Sequence, residues 1–273
     1  MSGLSISKAW EESRAVLAHD GRLIAAVALA LVALPTAITG LISPEGMSAA
    51  SAPAWTDAVV LVASLAALAG QLALIRLALG PSITVGAAIE HGVRRMPVYV
   101  LSAILIVLGM MVLAVPFAVV LSLLGVPLGA KAMPATPEVI TAMLLFLALV
   151  IFVAVRLLVS GPVASGEQVG PIEIIRRSWV LTAGHWWHLF GFLVIFFIGA
   201  IVLLIAVGAA AGVAAQLLLG SIKPMSPGAL LVALVGALAN AIITSLFAVM
   251  LARIYAQLAG RDAARATVPK SGT

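Results

Sequence analysis

Cysteine is absent from the chain. That excludes disulfides, thiolate metal sites and cysteine nucleophiles. Charge is scarce: Asp, Glu, Lys and Arg make up 9% of the residues, against about 25% in ordinary soluble domains. With 15 basic and 10 acidic side chains in 273 residues, a soluble fold could not cover its surface. A soluble enzyme, a disordered chain and a fibrous protein are therefore excluded. Six stretches hold no Asp, Glu, Lys, Arg or His at all: Leu23–Ile42, Ala58–Ile75, Val98–Leu124, Val139–Val155, Leu189–Leu219 and Ala229–Ala252. Proton relays, voltage sensors and intramembrane metalloproteases need ionisable groups at membrane depth, and these stretches supply none. There is also no Walker A loop and no Gly-x-Gly-x-x-Gly.

What is present is hydrophobicity: 63% of residues are hydrophobic and the mean hydropathy is +1.24. A helix needs about 20 apolar residues to cross a hydrocarbon core about 30 Å thick. All six stretches qualify. The expected fold is all-α, a polytopic membrane protein with six transmembrane helices. The fifth run reaches about 46 Å, so it must tilt, kink or project; Gly208 and Gly212 make a kink plausible. Residues 1–262 read as a single six-span membrane domain and 263–273 as a flexible tail.

The net charge of +5 and pI near 10.2 sit at the ends of the apolar runs, so no nucleic-acid partner is expected. Of the 15 basic residues, all but Lys131 and Lys223 fall on one side if the six spans alternate. The positive-inside rule makes that side cytoplasmic, with both termini inside. A cleaved signal peptide is not expected, because Glu11, Glu12 and Asp20 precede the first run and the run is too long for an h-region.

The two inner loops resemble each other. Arg76 is followed by Gly80-Pro81, Ile89-Glu90, Arg94-Arg95 and a span; Arg156 is followed by Gly161-Pro162, Ile172-Glu173, Arg176-Arg177 and a span. This suggests a three-unit parallel repeat near 5–80, 83–161 and 171–260, the first copy being the weakest. Each unit opens with an amphipathic segment: Ser5–Ala18, Val85–Met96 and Ile172–Thr182. These are expected to be cytoplasmic interfacial helices, with Ile89, Val93, Ile175 and Trp179 toward apolar surroundings. Arg94, Arg95, Arg176 and Arg177 are then the candidates for anionic headgroups.

The candidate polar groups inside the membrane are Gln71, Asn240 and Thr244; an interhelical hydrogen bond is the expected use, and a substrate contact the alternative. His185 and His188 have a spacing that can hold a metal, but no carboxylate lies near. Trp179, Trp186 and Trp187 read instead as an interfacial aromatic belt. Ser5-Ile6-Ser7-Lys8 fits Ser-x-x-Lys without its partner motifs and is read as chance. Pro35 and Pro116, late in spans one and three, are expected to bend them. No catalytic residue, metal or cofactor is expected.

The run Ile172-Glu-Ile-Ile-Arg-Arg177, Ser178-Trp-Val-Leu-Thr182, Ala183-Gly-His-Trp-Trp-His188 and Leu189-Phe-Gly-Phe192 resembles the bacterial membrane-domain family found fused to some glycerophosphoryl diester phosphodiesterases. It is similar also to the YciC-like inner-membrane proteins. The phosphodiesterase of the fused proteins is a separate soluble barrel, which this chain has no room for. The resemblance implies a stand-alone, non-enzymatic domain of the bacterial inner membrane. Membrane organisation, or binding of lipid or of a membrane or cytoplasmic protein partner, is the expected role. The alternative is a transporter or channel for a small or lipophilic solute.

Overall fold

The computed structural model describes residues 5–42, 54–80, 84–126, 136–220 and 226–267. Among them every regular element is helical. In chain order these are α1 (Ile6–Ala28), a π-helical turn (Leu29–Ala33), α2 (Leu34–Ile42), α3 (Ala54–Leu79), α4 (Val85–Leu123), α5 (Pro137–Arg156), α6 (Ser160–Gly166), α7 (Pro171–Leu181), α8 (Trp186–Leu219) and α9 (Pro227–Thr267). Six stretches are long and apolar enough to cross a membrane: Ile6–Gly40, Trp55–Leu79, Val85–Leu123, Pro137–Gly166, Trp186–Leu219 and Pro227–Gly260. Pro81, Lys131, Lys223 and the tail beyond Thr267 lie outside the described residues.

Local chemistry sets the helix ends. The Ser5 and Thr84 hydroxyls accept from the backbone N–H groups of Lys8 at 3.2 Å and Ala87 at 3.3 Å, which caps α1 and α4. Pro137, Pro171 and Pro227 open their helices, where a missing N–H is no loss. α4 closes with a Schellman motif. Val126 N–H donates to Leu121 C=O and Gly125 N–H to Ser122 C=O, both at 3.0 Å. Gly125 sits at φ +79°, and the Leu121 and Val126 side chains bury together.

Of the three surface helices suggested by the sequence, one is separate. Ser5–Ala18 and Val85–Met96 are the first turns of the continuous rods α1 and α4. A helical glycine such as Gly21 costs only about 1 kcal/mol, and α4 runs on through Pro97 although a proline inside a helix costs about 3 kcal/mol. Only α7 stands alone, because the chain turns after Thr182 with Gly184 at φ +78°.

The prolines are absorbed differently. Pro35 follows the π-helical turn, where one extra residue per turn accommodates the missing donor. Pro97 and Pro116 lie inside α4, which runs for 39 residues; the carbonyls of Val93 and Val112 therefore lack a helical partner.

The core sits at the end of the bundle where α3, α5 and α7 terminate. Leu72, Val155, Val159, Ile174, Leu189 and Ile254 form one buried cluster there. A second cluster packs α1, α3 and α9 through Val27, Leu74, Ile75 and Val249. We call this the basic end. α3 and α4 approach closely: a Cβ on Gly92 would stand 2.5 Å from the Ala69 carbonyl oxygen. Elsewhere α4, α5 and α8 turn large apolar side chains outward, among them Val112, Leu145 and Ile195. In water so much contiguous apolar surface would drive association; acyl chains are its natural solvent.

Candidate functional site

A helix leaves its last four carbonyls without partners and carries negative potential at that end. At the basic end, residues from other helices cap the C-termini of four helices. The Arg253 guanidinium on α9 donates to the Ala78 carbonyl of α3 at 2.6 Å. The Ser178 and Thr182 hydroxyls donate to the Arg156 carbonyl at the end of α5, at 2.9 and 3.1 Å. Arg156 itself donates to the Trp179 carbonyl of α7 at 3.3 Å. Its guanidinium also lies 5.2 Å from the Trp179 ring centre and 5.4 Å from that of Phe152, within cation–π range.

Arg95 performs the fourth capping. From α4 its Nε donates to Ala164 C=O at 2.9 Å, and its Nη2 to Val169 C=O at 3.1 Å and to the Glu167 carbonyl. The planar five-donor guanidinium suits such a fan of acceptors. His91, one turn earlier, meets the Ser165 carbonyl at 2.9 Å. The Ser165 hydroxyl in turn donates to Leu72 C=O of α3 at 3.0 Å. Short as it is, α6 is thus tied to both α3 and α4.

Glu167, the residue after α6, is the hub. Its carboxylate accepts from Arg177 Nε of α7 at 3.2 Å and from the Tyr255 hydroxyl of α9 at 2.8 Å, while its carbonyl accepts from Arg95. Three helices therefore converge on one residue that the sequence reading did not single out. A lone Glu between Gly166 and Gln168 carries no spacing signal, and Tyr255 lies 88 residues away.

The four arginines expected on the wet face divide in two. Arg94 and Arg176 are exposed. Arg176 makes a bidentate pair with Glu173, both bonds at 2.9 Å, and that carboxylate raises the guanidinium pKa further. Arg95 and Arg177 instead turn inward, because the α6 carbonyls and the Glu167 carboxylate offer better partners than solvent. The protein itself covers the apolar faces only in part. Val93 is 51% exposed and Trp179 39%, while Ile89 and Ile175 are partly buried.

Gln71 on α3 and Asn240 and Thr244 on α9 are partly buried. Their neighbour Ser245 is buried and donates to Ala241 C=O at 2.7 Å. Trp179, Trp186 and Trp187 gather with Phe152 and Phe190 in one aromatic cluster. His185 Nδ1 lies 3.2 Å from Ala183 C=O, His188 is exposed, and among the described residues no three His, Asp or Glu side chains are grouped as a metal site.

Three depressions lie around α1. A groove of about 510 Å³ runs between α8 and α9 beneath the first turns of α1. A second, of about 380 Å³, lies between α1 and α9. Both are apolar and open to the surface. The third is a polar cleft of about 460 Å³ lined by Glu12, His19, Asp20 and Arg253. Gln71, Asn240 and Thr244 line none of the three.

Residues 4–258 match the model of a family described as a domain of unknown function, DUF7847. No curated protein and no solved structure matches the chain.

Proposed function

The chain belongs to the DUF7847 family, and from that footing we propose a non-catalytic integral protein of the bacterial inner membrane that binds lipid or a partner and organises its surroundings. Both termini lie on the cytoplasmic side. The observation that carries this reading is the division of labour at the basic end. Arg95, Arg156, Arg177 and Arg253 serve the protein's own carbonyls and carboxylate, while Arg94 and Arg176 face outward from the same end. A plate of arginines engaged by the protein's own carbonyls and carboxylate, with Arg94 and Arg176 exposed at its rim, suits anionic headgroups, and the apolar flanks of α4, α5 and α8 suit acyl chains. The likeness to the membrane domains fused to phosphodiesterases points the same way.

The parallel repeat draws support from the arginine pairs: in each, the first member is exposed and the second reaches Glu167. A transporter or channel is the second reading. It draws on the groove residues Leu238, Ala241 and Ile242, which bracket Asn240. Their apolar lining favours lipid over a polar solute.

The test is reconstitution into vesicles with and without phosphatidylglycerol. The reading expects a higher melting temperature with the anionic lipid and no saturable solute flux. Flux without lipid-dependent stability would favour the transporter. Reporter fusions at Lys131 and Lys223 should read external, and fusions after Arg253 internal; an external C-terminus sinks the topology.

A further inference from the structure

We propose that the wedge between α1 and α8, floored by α9, holds one anionic lipid of the leaflet at the basic end, its acyl chain in the groove and its phosphate at Arg14. The proposal rests on the reading that the chain spans a membrane with its basic end among headgroups.

The two apolar grooves are halves of one feature, because Ile242 and Leu246 of α9 line both. On α1, Ser7 and Trp10 line the first half, and Leu17, Gly21 and Ile24 the second. Steps of three and four residues keep one helix face. Position 14 completes that stripe, four residues after Trp10 and three before Leu17. That face of α1 thus carries a single cation, Arg14, between the two sets of lining residues and outside both linings. Arg14 is exposed, and among the described residues no hydrogen bond or ion pair engages it, whereas Lys8 pairs with Glu12 at 3.9 Å. Trp10, 44% exposed at the mouth, is the side chain that favours a headgroup layer.

Length selects the occupant. On α8 the lining runs from Phe192 to Leu203, about 16 Å of helix, and on α9 from Leu238 to Met250, about 18 Å. That is close to half of a hydrocarbon core about 30 Å thick. A transmembrane partner helix would need a groove of full depth; a chain from one leaflet needs this one. Polarity agrees: Ser245, one of the few hydroxyls in the lining, is already bonded within its own helix. Gly199 keeps the α8 wall low, and a Cβ added there meets nothing within 4 Å.

The experiment is native mass spectrometry of the purified full chain offered equimolar phosphatidylglycerol and phosphatidylcholine. The wild type should retain phosphatidylglycerol preferentially. Arg14→Gln should reduce that preference about fivefold, the equivalent of about 1 kcal/mol per cation at an anionic surface. Gly199→Leu, which fills the groove, should lose the bound lipid, and Ile242→Trp, filling it from the floor, should do the same. Gly208→Leu, also on α8 and with equal room but outside the groove, should match the wild type. Wild-type retention in both filling variants overturns the proposal, as does an unchanged preference in Arg14→Gln. If the preference disappears instead in Arg94→Gln/Arg176→Gln, the groove site is wrong and the proposed function stands. If no form prefers phosphatidylglycerol, both fall. Conversion of a dimer to a monomer by Gly199→Leu would show a second copy in the groove and overturn the lipid assignment.

Discussion

The Tyr255 hydroxyl donates to the Glu167 carboxylate at 2.8 Å, joining the last long helix to a seven-residue helix in the middle of the chain. The same carboxylate oxygen accepts from Arg177. The pair therefore closes the basic end, fixing α9 against α6 and α7 rather than against its chain neighbours.

Removing that acceptor should loosen the whole end. Glu167→Ala leaves the Arg177 guanidinium, 30% exposed, and the Tyr255 hydroxyl without this partner. A loss of about 1–3 kcal/mol is expected, read as a lower melting temperature in detergent or nanodiscs. Glu167→Gln keeps an oxygen for Tyr255 and should lose less. Equal melting temperatures for Glu167→Ala and wild type would remove the hub role.

Arg95→Lys conserves charge but not geometry. A lysine cannot present a planar fork to the Ala164, Glu167 and Val169 carbonyls together. Destabilisation of about 1–2 kcal/mol is expected, whereas Arg94→Lys, on the exposed neighbour, should stay within about 0.5 kcal/mol of wild type. Thermal melts of the two variants side by side separate capping from mere charge.

Gly92→Ala should be among the most damaging small substitutions. Its Cβ would stand 2.5 Å from one backbone oxygen and 3.2 Å from the Ala73 nitrogen. Backbone cannot swing aside like a side chain, so α3 and α4 must separate, at about 1–3 kcal/mol. Gly86→Ala on the same helix meets open space and should stabilise slightly. If the two variants melt alike, the close approach is absent.

Ser178→Ala combined with Thr182→Ala strips the Arg156 carbonyl of both hydroxyl donors. Each should lower stability by about 1 kcal/mol. Because the remaining hydroxyl still serves the carbonyl when one is removed, the double variant, which leaves it neither, should exceed the sum of the singles; strict additivity in a double-mutant cycle would argue against a shared site.

Much of this architecture is legible in the sequence, for identifiable reasons. Six uninterrupted apolar runs give six membrane-length helices because hydropathy and length are properties of a contiguous segment. The rest depends on distant partners. Arg94 and Arg95 are adjacent and chemically alike, yet one is exposed and the other caps α6. Only the position of α6 decides between them, and α6 itself has a Ser-Gly-Pro start that reads as a break. Glu167 is hidden for the same reason: its partners come from α4, α7 and α9. Continuity is the other gap. The amphipathic stretches Ser5–Ala18 and Val85–Met96 are surface-like in composition, but a helix once nucleated adds residues cheaply, and here both rods run on through Gly21 and Pro97.

The two prolines within α4 have a consequence for thickness. Pro116 lies nineteen positions after Pro97, about 28 Å along the helix, close to the depth of a hydrocarbon core. The hydrogen-bond ladder is thus interrupted at two points spaced like the two borders of a bilayer. Between them lies an intact rod, with softer joints above and below. In a bilayer spanned as proposed, the Arg95 contact to the Glu167 carbonyl would lie just beyond the first of these joints.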